Sequence, residues 1–149
     1  MPEKKTIDEA RKARRQGKSP STQAGAFVHE EIEHIREGKH GARSAKQAIA
    51  IGLSKARRAG VKLPPPPKTA SARTREGAKR DSARAGKTTR PSASRSRAAQ
   101  RALADEPRAA ASTTALSRHA KAAAKRRPAK ARKAAAKKAA RTRARREQS

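Results

Sequence analysis

The chain has 149 residues, of which 41 are Lys or Arg and 12 are Asp or Glu, a formal net charge of +29. Self-repulsion at that density opposes compaction and is relieved by a polyanion that releases its own counterions, which makes nucleic acid the expected partner. Without cysteine there is no disulfide, thiolate nucleophile or cysteine-ligated zinc, and no apolar run approaches the roughly 18 to 20 residues of a membrane span.

The first expected helix opens on a capping box, Thr6 followed by Glu9, and runs through about Gln16 before Gly17 stops it. Asp8 and Lys12 stand at i and i+4 on what reads as a surface helix. The second starts around Ser19-Pro20-Ser21-Thr22, carries the stripe Ala24, Phe27, Val28, Ile32 and Ile35, and ends at Gly38. The third opens on a second capping box, Ser44 and Gln47, and closes at Gly60, after which Val61 folds back. Ala45, Ala48, Ile49, Leu53 and Ala56 share one face of it. Gly52 costs this helix about 1 kcal/mol against alanine but allows close helix approach.

Joined through residues 38 to 43, the last two helices read as a helical hairpin, with the helix-turn-helix relative as the alternative. The large apolar residues Phe27, Val28, Ile32, Ile35, Ile49, Ile51, Leu53, Val61 and Leu63 make a thin core, so a homodimer through the apolar helix faces, or DNA, is expected to complete it.

At Pro64-Pro65-Pro66-Pro67 the composition changes. Residues 1 to 63 hold 15 basic and 7 acidic side chains, net +8, against 26 and 5, net +21, in residues 64 to 149. Four prolines favour a polyproline II spacer. A Ser/Arg/Ala-rich linker over 68 to 120 and a Lys/Arg/Ala-rich tail over 121 to 149 follow, with few large hydrophobes. The expected fold is therefore a small all-α head at 1 to 63, of two to three short helices, followed by a long, largely disordered basic tail.

Phosphate contacts are expected from Lys125, Arg126, Arg127, Lys130, Arg132, Lys133, Lys137 and Lys138 in the tail, and from Lys39, Arg43, Lys46, Arg57 and Arg58 in the head. The loop Gly38-Lys39-His40-Gly41-Ala42-Arg43-Ser44, with glycines, basic groups and a helix N-terminus, is the head's candidate phosphate site. Glu30, Glu31, Glu33 and Glu37 form an acidic patch on the second helix, expected to bridge to the first or third. Glu30 with His34, and His29 with Glu33, are ligand pairs without the further ligands of a zinc site, so no metal, cofactor or catalytic group is expected.

From Gly38-Lys39-His40-Gly41 through Lys46-Gln47-Ala48-Ile49-Ala50-Ile51 to Ser54-Lys55-Ala56-Arg57-Arg58-Ala59-Gly60, the chain resembles a bacterial and phage domain family of unknown function with a K-Q-A-I-A-I core, often labelled DNA-binding. The resemblance covers about residues 19 to 63. The tail separately resembles histone H1-like proteins in its Lys/Ala/Pro composition. Together these imply a cytoplasmic, nucleoid-associated protein that binds duplex DNA without sequence preference. An RNA- or ribosome-associated protein, and a protein-interaction adaptor using the acidic second helix, are the alternatives.

Overall fold

A computed structural model describes residues 2–87 and 92–147, apart from the side chain of Arg146; within the linker and tail ranges above, residues 88–91 and 148–149 lie outside the description. Helices occupy most of the described chain: α1 (Lys4–Arg15), α2 (Pro20–Arg36), α3 (Ala45–Arg58), α4 (Ala72–Ala83), α5 (Ala93–Ala104), a 3-10 turn at Arg108–Ala111, α6 (Thr113–Lys125) and α7 (Ala129–Glu147). They fall into two units, residues 1–112 and 113–149. None of the described helices is long and apolar enough to cross a membrane.

Several helix starts follow from local chemistry. Ser19 accepts from the Thr22 amide with Pro20 at the first helical position, and Ser44, Ser71 and Ser92 cap α3, α4 and α5 in the same way. The Ser44 box is only half made, because Gln47 Oε1 accepts from the Arg43 amide (2.8 Å), one residue further back than the motif requires. Gly17, Gly38 and Gly60 end the first three helices at positive φ.

The start of α1 departs from expectation. Thr6 is buried inside the helix, and Glu3 stands at the N-cap with no side-chain cap. The Glu3 amide donates instead to Glu30 Oε2 on α2 at 3.2 Å, so a tertiary contact, invisible to local pattern, sets where α1 begins.

The core is built mostly of alanine. Phe27 and Ile35 are fully buried and Val61 nearly so, while Val28, Ile32, Ile49, Ile51, Leu53 and Leu63 stay partly exposed. Ala10, Ala24 and Ala56 pack with Phe27 and Val61 between α1, α2 and α3. A second cluster joins Ile35, Ala42 and Ala48 to Ala110 and Ala111 of the 3-10 turn. Methyl groups fill a core only where backbones come close, and Gly52 provides such a place: a β-carbon there would lie 2.7 Å from Val28 Cα.

That second cluster contributes to overturning the expected small head with a disordered tail. The chain is helical on both sides of the proline run, and residues well beyond it complete the first unit. Ala78 of α4 is buried, and Asp81 accepts from Ser54 and lies 3.6 Å from Arg58, both on α3. The α2–α3 loop is held to the segment after α5, where Gly41 donates to the Leu103 carbonyl (2.8 Å) and Ala42 to that of Pro107 (3.1 Å). Arg36 Nε donates to the Ala111 carbonyl at 3.1 Å. The expectation rested on the scarcity of large hydrophobes and on charge repulsion outweighing alanine's helix propensity; that propensity and the close packing alanine allows order a segment poor in large hydrophobes. On the apolar faces of α2 and α3, Ala24, Phe27, Ile35, Ala45, Ala48 and Ala56 are buried within the chain, while Val28, Ile32, Ile49 and Leu53 stay partly exposed.

Candidate nucleic-acid interface

The head candidates do not form one basic patch. Lys39 Nζ lies 2.9 Å from Glu37 and 3.7 Å from Glu3, Arg43 pairs with Glu106 at 3.4 Å, and Arg58 with Asp81. Arg57 donates to the Pro64 carbonyl at 3.3 Å. Of these five, Lys46, exposed on the first turn of α3, makes no such contact with a described residue. Part of the candidate phosphate loop is engaged by its own chain: the amides of Gly41 and Ala42 serve the segment after α5, that of Arg43 serves Gln47, and that of Gln47 serves the Ser44 hydroxyl. A β-carbon at Gly41 would sit 1.7 Å from the Glu106 carbonyl oxygen, which leaves no room for a ligand on that side.

The second unit is different. Residues 113–149 hold 14 basic side chains and a single acid, Glu147. Lys125 ends α6, Arg126 and Arg127 occupy the turn before Pro128, and Lys130, Arg132, Lys133, Lys137 and Lys138 lie on α7; all eight are exposed. None of them forms an ion pair with a described residue. At 1.5 Å per residue α7 is about 28 Å long, and at 100° per residue its cations point to every side. Arg118 and Lys121, which with Lys125 stand at i, i+3 and i+7 on α6, extend the array, as do Arg141 and Arg143 on α7. These four were missing from the expected set, although their helical spacing was legible.

The acids of α2 gather a second cluster. Glu30 and Glu31 are buried, and Lys55 of α3 reaches both, 3.5 Å from Glu30 Oε1 and 2.6 Å from Glu31 Oε2. The bridge to the third helix is thus present. Glu33 pairs within α2 with Arg36 (2.9 Å), and Glu3 with His34 (3.1 Å). The hydrogen bond from His34 holds the Glu3 carboxyl below its ordinary value against the opposing effect of burial, with Lys39 adding charge; the bond to Glu37 holds the Lys39 amine above its own. Among the described residues neither ligand pair, Glu30 with His34 or His29 with Glu33, assembles a set of three. Instead the α2–α3 loop carries His40 back so that ligand atoms of Glu31, His34 and His40 lie within 4.8 Å of one another.

Residues 3–68 match a family described as of unknown function, DUF6496, a wider span than the 19 to 63 of the sequence resemblance, taking in all of α1 and the proline run. No curated protein and no solved structure matches the chain.

Proposed function

We propose that this chain is a non-enzymatic, nucleoid-associated protein that binds duplex DNA by neutralising phosphates, with little sequence preference. The observation that carries this reading is the exposed cation array of residues 118–143, which forms no ion pair with a described residue, whereas the expected contact residues of the first unit are largely paired with acids. A major groove has phosphates along both walls, so a helix with cations on every side meets both. The array lacks the buried, held side chains that would read base edges. The one aromatic of the Phe, Tyr and Trp class, Phe27, is fully buried and offers no stacking platform for unpaired bases, which favours a duplex over single-stranded RNA.

The test is a salt-dependent titration of the full chain, and of a variant with Lys130, Arg132, Lys133, Lys137 and Lys138 changed to Gln, against duplex DNA and against RNA. The expected result is tighter binding to duplex DNA, a steep salt dependence, and a shallower one in the variant. Equal affinity and slope for the two proteins overturns the reading. Preference for RNA transfers it to the ribosome-associated alternative.

A further inference from the structure

We propose that Glu31, His34 and His40 form a binding site for a divalent transition metal ion of the zinc class, which fastens the α2–α3 loop to α2. This goes beyond the nucleic-acid reading and does not depend on it.

The argument begins with the His40 ring. Its Nδ1 lies 3.1 Å from the Gly41 carbonyl oxygen, which can only accept, so Nδ1 carries the proton. In the neutral ring Nε2 then keeps its lone pair, and it faces Glu31 Oε1 at 3.3 Å. In that neutral form two acceptors confront each other, one of them belonging to a fully buried carboxylate whose Oε1 has no hydrogen-bond partner. Burying such an atom without a donor or a cation is costly. Lys55 does not resolve this, because it stands against the other oxygen, Oε2, at 2.6 Å.

A metal ion resolves it. Zinc bound to nitrogen and carboxylate oxygen at about 2.0 to 2.1 Å in a tetrahedron sets neighbouring ligand atoms about 3.3 Å apart, the separation found between Glu31 and His40. His34, one turn beyond Glu31 on the same face of α2, supplies the third ligand within 4.8 Å. The outer contacts have the form that metal-bound histidines require: the Gly41 carbonyl orients His40, and Glu3 Oε1 orients His34 from 3.1 Å. Imidazole and carboxylate together suit zinc, cobalt or nickel rather than calcium or magnesium. Three protein ligands leave a fourth position for water. Although Lys39 and Lys55 oppose a cation, Glu3, Glu30, Glu31 and Glu37 outnumber them locally, in a chain that is otherwise strongly positive.

The experiment titrates chelator-treated full-length protein with Co²⁺ alone, following visible absorption, and then displaces it with Zn²⁺. One ion per chain with a tetrahedral absorption spectrum is expected. His40→Ala and His34→Ala should each weaken binding at least tenfold, while His29→Ala and His119→Ala leave it unchanged. His40→Gln, which fills similar space and can still donate to Gly41, serves as the second variant should His40→Ala fail to fold. No saturable binding to the wild type, or binding that survives loss of His40 or His34, overturns the proposal. Saturation with an octahedral spectrum insensitive to these variants does so too.

Discussion

Gly52 of α3 packs directly on the backbone of Val28 in α2, so closely that a β-carbon would lie 2.7 Å from Val28 Cα and 3.0 Å from the Phe27 carbonyl oxygen. Gly52→Ala should therefore destabilise the protein by about 1 to 3 kcal/mol through forced separation of the helices, despite alanine's better helix propensity. Gly25 in α2, with nothing within 4 Å of its β-position, is the control, and Gly25→Ala should stabilise by up to about 1 kcal/mol. Denaturant midpoints of the two variants, moving in opposite directions, are the check.

Lys55 compensates two buried carboxylates at once. Lys55→Met should cost about 3 to 5 kcal/mol, since it leaves two interior carboxylates without the cation that lies against both. Adding Glu31→Gln removes one of those charges and should recover part of the loss. A double-mutant cycle in urea gives the coupling; additive losses would show that the pair does not interact.

Glu3 and His34 predict a response to acid. The folded Glu3 carboxyl titrates below its ordinary value because His34 favours the ionised form. Its stabilising contribution is then present above the unfolded value and lost as pH falls through the folded one. NMR titration of the Glu3 side-chain carboxyl carbon should give a midpoint below that of an isolated glutamate, and His34→Ala should move it upward.

Paired and unpaired cations should differ in their effect on DNA binding. Replacing Lys130, Arg132, Lys133, Lys137 and Lys138 by Gln removes as many as five phosphate contacts and should lower the log-log salt slope by up to about 4.5, at about 0.9 per contact. Replacing Lys39, Arg43 and Arg58, whose charges already meet Glu37, Glu106 and Asp81, should change it by less than the count implies. Fluorescence anisotropy across a salt series measures both slopes.

The starts of α2 and α3 and the ends of the first three helices were legible because their signals are local. Ser19 with Pro20, Ser44 with Gln47, and glycines at 17, 38 and 60 act within a turn of the backbone they cap, and the structure places α2 and α3 accordingly. The polarity of residues 118–143 was also plain, since helical spacing alone distributes Lys and Arg around α7.

What the sequence determined, then, is where α2 and α3 begin, where the first three helices end, and where positive charge accumulates, because propensity, capping and charge are properties of neighbouring residues. What only the tertiary structure decided is which small residues become core, which cations are already compensated, and how His40 comes to Glu31. Ala110 packing on Ile35, Asp81 reaching Arg58, and Gly41 lying under Glu106 each join residues far apart in the chain. An alanine carries no mark of burial in its own identity; only the close approach of two backbones gives its methyl group something to bury against.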